Sequence, residues 1–470
     1  MTQTAPATAL VRGLGLGSAI SINVANMIGT GVFLKTRVMT CNVGSAWLVL
    51  LVWVAAGLLS LAGTVSYAEV CAMIPEAGGD YVYLRRAYGR WVGFLYGWTF
   101  FTVARAGSQA ALAVSFAIFL NVALGGVLSH DLYTITTPIG SFHLTGLIAL
   151  ALLSIWAVAL INMRTVTTGG NTAIALTVLK VVMLLIIAIG ALALAAGHWS
   201  HLGMEAAQAR CEGVDPSAQG GVAGFGAAML GALWAYDGWN NVTPLAGEIK
   251  DPSRNLPRAF FGGILVVGAL YILINVGYFF VLSPTEIANI PASSSVATQV
   301  AQHFMGPTAT TVTALILMIS SLGSLHASVL ANSRIPYAMA KEGLFFKALA
   351  RVSSRTHVPI NAIIAQAAWA TILALSGSYD RLTDSVIFAS WMFYGLSTGS
   401  LFIFRLTLPN EPRPYKAFGY PYVPAVFVLV TSALIVNTFY SSLQLALTGV
   451  GVMVLGLPFY WYWSRQLVTE

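Results

Sequence analysis

The sequence predicts an all-α integral membrane protein: twelve transmembrane helices, in two inverted blocks of five followed by two more. Composition, the spacing of apolar runs and the placement of Lys and Arg carry that prediction. Of 470 residues, 57% are hydrophobic and 8% charged, with a mean hydropathy of +0.78. A soluble domain carries about 25% charged residues, so this chain has too few to cover a surface in water. That overrides the three or so soluble domains its length would otherwise imply. The net charge of +7 is not a nucleic-acid footprint, because the basic residues fall in short stretches between apolar runs. Cys41, Cys71 and Cys211 stand far apart and form no metal or redox motif. The N-terminus, MTQTAPATALVRG, lacks a charged, cleavable signal pattern, and the first apolar run reads as a retained helix.

A membrane helix needs about 20 mostly apolar residues. Such runs lie at 15–38, 44–72, 90–125, 143–162, 170–196, 221–246, 257–282, 308–341, 359–376, 380–406, 422–440 and 443–463. With residues 1–14 in the cytoplasm, 17 Lys and Arg residues fall in cytoplasmic segments. Four fall outside (Lys35, Arg37, Arg210, Arg381), and Arg105 and Lys180 fall within spans. One span more or fewer would scramble this alternation, so the positive-inside rule supports both the count and the orientation. Both termini, including the tail 464–470, are then cytoplasmic and the protein is expected in the cell membrane.

Span 1 is interrupted at NMIGTGVF (26–33) and span 6 at WAYDGWNN (234–241). Each begins a block of five spans, 15–196 and 221–406, and an odd number per block inverts the second relative to the first. The pair at 422–463 follows them. Matched, glycine-interrupted helices point to a transporter binding site at the repeat interface. Unwinding frees N–H and C=O groups, which membrane depth tolerates only inside protein or around a cavity. A zwitterion needs both: helix N-termini favour its carboxylate and freed carbonyls accept from its ammonium. Close helix packing explains Gly29 and Gly31 about as well when they are taken alone; the partner break in span 6 favours transport.

Four ionisable residues sit at membrane depth: Glu69, Arg105, Lys180 and Asp237. A charge at a helix centre costs at least about 2.5–3.5 kcal/mol on insertion scales, so such groups face the bundle interior and pair. Glu69, near the cytoplasmic end of span 2, reads as structural, satisfied by snorkelling or a basic loop partner. Lys180 offers three donors, enough for carbonyls of broken span 1 and a hydroxyl on span 8, with Ser320, Ser321 and Ser324 as candidates. Arg105 stays charged, and Asp237 is its candidate carboxylate. If they pair, the site is neutral and suits neutral substrates. If they do not, Arg105 reads an acidic side chain and Asp237 a basic one.

Five stretches, in order, resemble the amino acid–polyamine–organocation superfamily, and within it the L-amino-acid transporter light-chain family and its bacterial relatives. They are SINVANMIGTGVF, PEAGGDYVYLRRAYG (75–89), GALWAYDGWNNVTPLAGEIKDPSRNLPRA (231–259), INVGYFFVLSP (274–284) and ANSRIPYAMAKEGLFF (331–346). The resemblance covers nearly the whole chain. It implies a leucine-transporter-like fold, alternating access and amino acid substrates, often by obligatory exchange. It also implies that Met27, Ile28, Gly29, Thr30 and Gly31 form the unwound part of span 1. Backbone N–H groups of Thr30 and Gly31 would hold the substrate carboxylate. Carbonyls near Met27, Ile28, Trp234 and Ala235 would hold its ammonium. Trp234 matches an aromatic gate, and Tyr278 a span-7 tyrosine that helps stabilise the closed state. Lys180 matches a lysine standing in the second sodium site of sodium-driven relatives, which implies sodium-independent transport. Mammalian light chains carry a cysteine between spans 3 and 4 for a heavy-chain partner. The segment 125–142 has none, so no disulfide-linked subunit is expected.

The leading expectation is a sodium-independent exchanger of neutral L-amino acids with no cofactor. The alternatives are a proton-coupled carrier of cationic amino acids using Asp237 and, more distantly, a non-transporting sensor, against which both tails are short. No HExxH, GxSxG or GxxxxGK[ST] motif marks an enzyme. His198 and His201, beside Trp199, lack an evident third metal ligand, and interfacial anchoring explains them. Trp91 and the aromatic run 461–463 fit an interface belt. The last two spans could serve packing or a homo-oligomer.

Overall fold

The computed structural model describes residues 9–137, 140–207, 209–292, 294–376, 379–441 and 443–469. Residues 1–8 and Glu470, parts of the two expected tails, lie outside that set. The helices in chain order are α1 (Leu16–Met27), α2 (Gly31–Val43), α3 (Ala46–Met73), α4 (Asp80–Tyr88), α5 (Arg90–Thr99), α6 (Arg105–Ala123), α7 (Gly146–Asn162), α8 (Val166–Ala193), α9 (Gly221–Ala235) and α10 (Pro252–Val281). They continue as α11 (Pro284–Ala288), α12 (Val296–Met305), α13 (Ala309–Asn332), α14 (Arg334–Lys341), α15 (Ile360–Ser376), α16 (Tyr379–Thr407), α17 (Tyr422–Ser441), α18 (Leu443–Val454) and α19 (Gly456–Thr469).

Among the described residues, seven helical stretches are long and apolar enough to cross a membrane, or eight if α1 and α2 count as one bent span. Helix suits a membrane span because it satisfies its backbone hydrogen bonds internally. The span containing α13 is the most enclosed, with 78% of its apolar window buried, against 17% for α17. Helix α13 is therefore central, packed on α1, α6 and α8, whereas α17 is peripheral and mostly exposed. Burial tracks what each face meets: α13 presents serines at close helix contacts, and α17 exposes Val426, Leu429 and Val436.

Three features differ from the all-helical expectation. A two-stranded antiparallel hairpin, β1 (Asp131–Thr137) and β2 (Gly140–Thr145), lies between α6 and α7. The third span is not one α-helix, because Phe100–Ala104 form a π-helical turn between α5 and α6, just before Arg105. Such turns are frequent at functional sites. Finally, Cys41 and Cys211 are joined in a disulfide with Cα atoms 5.6 Å apart. They are 170 residues apart in sequence, so no spacing motif announces the bond. The extended segment before α9 wraps over the end of α2, with Ala206 N–H donating to Gly44 O and Gly220 N–H to Asn42 O (both 2.7 Å). That path brings Cys211 to Cys41.

Glu69 is fully buried and holds two arginines. Arg405 approaches in a bidentate fork at 2.6 and 3.0 Å, and Arg413 lies 3.3 Å away. The reading of a basic partner therefore describes it better than snorkelling. A second buried fork joins Arg334 to Glu248 at 2.6 and 2.9 Å. In the aromatic run, Trp461 and Tyr462 are exposed, but Trp463 is buried against Phe94 and Phe345, so it is a core residue and not part of an interface belt.

Candidate functional site

Helices α1 and α2 meet at 44° across residues 28–30. The first N–H groups of α2, on Thr30, Gly31 and Val32, precede its first turn and have no acceptor inside the helix. Opposite them α9 ends at Ala235, and the chain turns through Tyr236–Val242 before a short 3-10 helix at Thr243–Glu248. Gly238 makes that turn possible. Its φ is +99°, and a Cβ there would lie 2.8 Å from Asn26 Cβ and 3.1 Å from Asn26 backbone carbon. Gly31 is the contact between the breaks, since a Cβ there would fall 2.7 Å from Ala235 Cβ. Gly29 differs: no atom lies within 4 Å of its Cβ position, which opens into a cavity.

That cavity holds about 690 Å³ and is lined by α1, α2, α6, α9, α13, α16 and α17. Met27, Gly29, Thr30, Gly31, Arg105, Trp234, Ala235 and Asp237 all line it, so the structure brings these sequence-chosen residues together. Its size suits a small-molecule site. Ile28 is fully buried behind it.

Lys180 stitches the first break. Its Nζ donates to Ala25 O, Ile28 O and Ser324 Oγ, each at 2.8 Å. Ser324 Oγ in turn donates to Ala25 O at 2.8 Å. Ser320 Oγ reaches Ile28 O at 3.0 Å and Gly29 O at 3.2 Å. Ser321, also a candidate, bonds instead to Leu317 O in its own helix. Lys180 thus donates to the carbonyls freed at the end of α1.

The two breaks are joined by a residue that sequence reasoning missed. Tyr271 on α10 places its hydroxyl 2.8 Å from Met27 O and 2.9 Å from Ala235 O. Trp53 and Tyr236 hold its ring edge-on at 4.9 and 5.2 Å. Tyr278, the sequence candidate, lies two helical turns further along α10, fully buried and away from the cavity lining. Its hydroxyl has no hydrogen-bond partner among the described residues. Both tyrosines share one helix face, and only their depth relative to the breaks separates them. The carbonyls of Met27, Ile28 and Ala235 are therefore already engaged within the protein.

Asp237 and Arg105 face each other at 3.9 Å, with Tyr394 between them. The Tyr394 hydroxyl donates to Asp237 Oδ1 at 2.7 Å and accepts from Arg105 Nη2 at 3.3 Å. Arg105 is buried, its guanidinium 5.0 Å above the Phe100 ring, and the Asp237 side chain is 35% exposed to the cavity. Tyr394 carries no motif that would have marked it in the sequence. Trp234 rests against Gly31 and lies 4.9 Å beneath the Lys35 ammonium.

Residues 14–461 match a family described as amino acid permease. The b(0,+)-type amino acid transporter 1 of Homo sapiens is 32% identical over 438 residues, 93% of this chain and 84% of its own. Its Mus musculus counterpart is 30% identical, over 91% and 82%. The large neutral amino acids transporter small subunit 2 of Homo sapiens is 29% identical, over 97% and 82%. These relatives are transporters, not enzymes, and the chain belongs to the amino acid permease family.

Proposed function

We propose that this protein exchanges neutral L-amino acids across the cell membrane by alternating access, without sodium. One observation carries the reading: two facing helix breaks border a 690 Å³ cavity, and α2 begins at its wall, where the first N–H groups have no acceptor inside the helix. The N–H groups of Thr30 and Gly31 hold the substrate carboxylate. The ammonium sits toward the broken ends of α1 and α9, near Met27, Ile28, Trp234 and Ala235. It reaches the acceptor positions of Met27, Trp234 and Ala235 that their bonds within the protein leave open, Ile28 O being taken up by Lys180, Ser320 and Ser324. Trp234 closes over the bound substrate, and Tyr278 supports the closed state from its buried place on α10. Lys180, in place of a cation, supports sodium independence. Arg105, Tyr394 and Asp237 offset one another, which supports a neutral side chain.

The reading places twelve spans in two inverted blocks, 15–196 and 221–406, with 422–463 added and both termini cytoplasmic. The shorter apolar helices Gly146–Asn162, Gly221–Ala235 and Ile360–Ser376, together with α16 (Tyr379–Thr407), supply the four spans beyond the eight obtained with α1 and α2 as one. No disulfide-linked partner is proposed, because the segment 125–142 carries no cysteine.

The test is uptake of radiolabelled leucine into proteoliposomes. Vesicles preloaded with a neutral amino acid are expected to take up label much faster than empty ones, with or without sodium. Equal rates into empty vesicles would remove exchange, and strong sodium dependence would remove the role given to Lys180. A second reading, transport of cationic amino acids, draws on the partial exposure of Asp237 and its long 3.9 Å approach to Arg105. Asp237→Asn separates the two. Loss of lysine and arginine uptake with neutral uptake retained favours the second, and a moderate loss of neutral uptake favours the first.

A further inference from the structure

Three carboxylates are fully buried among the described residues: Glu69, Asp80 and Glu248. Glu69 and Glu248 each hold arginine in a bidentate fork. Asp80, the first residue of α4, has no cationic nitrogen within ion-pair distance among the described residues, and no role in the exchange cycle above requires it.

We propose that Asp80 is a proton-binding site at the cytoplasmic end of the transport path, and that its proton sets how firmly the segment after α9 is held to α4 and α5.

The carboxyl sits in a shell of neutral groups drawn from several elements. Its Oδ2 accepts from Tyr96 on α5 (3.3 Å), and from Asn240 (3.2 Å) and Thr243 (3.3 Å) in the segment after α9. Its Oδ1 has no hydrogen-bond partner, nor do the buried hydroxyls of Tyr67 on α3 and Ser397 on α16, which face the same carboxyl. Hydroxyls both donate and accept, so this shell serves either form. Toward the carboxylate, Tyr67 and Ser397 turn to donate. Toward the acid, Oδ1 carries the proton and one of them accepts. A metal cation fits poorly, because it needs inward-facing oxygen acceptors. Here Asn240 presents its NH₂ and Tyr96 and Thr243 their O–H groups.

Tyr67 and Cys71 on α3, Tyr83 on α4, Tyr96 on α5, Arg105 on α6 and Tyr394 on α16 are the titratable and charged groups that interact with this carboxyl. Tyrosine and cysteine ordinarily give up protons only above neutrality, and arginine does not. Asp80 is thus the member of the set that titrates on the acid side. Burial pushes its carboxyl above the ordinary carboxylate range, while the facing hydroxyls of Tyr67 and Ser397, the bond from Tyr96 and the charge of Arg105 pull it back. Glu76, four residues earlier in the chain, is exposed.

Two chains of aromatic contacts connect this carboxyl to the cavity. The Tyr96 ring stacks on Phe100 at 4.1 Å, and Phe100 lies under Arg105. Trp239 sits between Tyr67 at 4.7 Å and Tyr394 at 5.8 Å. Protonation at Oδ1 removes the negative charge and leaves Oδ2 a neutral carbonyl, a weaker acceptor for Asn240 and Thr243, three and six residues past Asp237, and so loosens the exit from α9.

The proposal of a coupled proton rests on the exchange reading, but the site itself is testable without it. Infrared difference spectra of the purified protein, recorded as pH is lowered from 9 to 5, are expected to show the C=O band of a buried protonated carboxyl. That band should be absent from Asp80→Asn and retained in Glu76→Gln. Its presence unchanged in Asp80→Asn, or its absence from the unmodified protein, overturns the assignment even if no amino acid is carried. Leucine exchange in proteoliposomes then reads the coupling. The expected result is about a fivefold change across the same range, the factor one hydrogen bond contributes, flattened in Asp80→Asn and restored with a displaced midpoint in Asp80→Glu. An Asp80→Asn profile that follows the unmodified one overturns the coupling. A carboxyl band that shifts with sodium or potassium at fixed pH makes this a metal site and overturns the proton.

Discussion

Tyr271→Phe removes one oxygen and leaves the ring between Trp53 and Tyr236 unchanged. The hydroxyl lies 2.8 Å from Met27 O and 2.9 Å from Ala235 O, carbonyls that belong to opposite sides of the site. It has one proton, so at any moment it makes one full bond or two shared ones. Its loss leaves a buried carbonyl without a donor, a cost of about 1–3 kcal/mol. Both carbonyls border a cavity able to admit water, which places the cost toward the lower half, about 1–2 kcal/mol. That corresponds to a factor of about 5–30 in the balance between the arrangement seen here and one with the breaks apart. Leucine exchange in proteoliposomes is the assay, with KM and maximal rate determined separately and thermal unfolding measured in detergent. Apparent affinity is expected to weaken by about 5–30-fold, with little loss of folded protein. Wild-type affinity and rate in Tyr271→Phe would refute the claim that this hydroxyl joins the breaks.

Two glycines of the first break should respond differently. Gly31→Ala places a methyl 2.7 Å from Ala235 Cβ and 3.1 Å from its Cα, and is expected to lower thermal stability and abolish exchange together. Gly29→Ala meets no atom within 4 Å, so the protein should melt normally while its substrate affinity falls, as read by calorimetry. Lys180→Met keeps the apolar stem but deletes three hydrogen bonds from an ammonium, each contributing about 1.5–3 kcal/mol net. Ser320 and Ser324 retain part of the carbonyl contacts. Exchange should drop at least about tenfold, and adding sodium should not restore it, because methionine provides no oxygen ligand. Replacing Cys41 and Cys211 together by serine opens a 170-residue link. This should cost about 2–5 kcal/mol, read as a lower melting temperature. A non-reducing peptide map of the unmodified protein should show the two cysteine peptides joined, and separate migration would refute the bond.

Some of this was legible before any coordinates. The breaks at 26–33 and 234–241 could be read because unwinding inside a membrane demands special residues, and glycine is conspicuous in an apolar run. Lys180, Arg105 and Asp237 could be read for the same reason: a charge in hydrocarbon is costly enough to stand out. Tyr271 and Tyr394 could not. Tyrosine is at home in an apolar helix, and nothing along α10 says whether Tyr271 or Tyr278 reaches the depth of the breaks. Asp80 was also hidden, within a polar connecting stretch where an acid attracts no notice until it is found buried.

Composition, the length of the apolar runs and the placement of charge decide that this chain is a helical membrane protein, and its glycine-marked stretches point to two interruptions. Each is a local property, set by what hydrocarbon will accept residue by residue. Partnership is not local. Packing alone brings Cys41 to Cys211 across 170 residues, Arg405 to Glu69, Tyr394 between Arg105 and Asp237, and one tyrosine hydroxyl onto both broken ends. Hydrogen bonds and ion pairs depend on distances of a few ångström between groups far apart in the chain, and only the folded arrangement sets those distances.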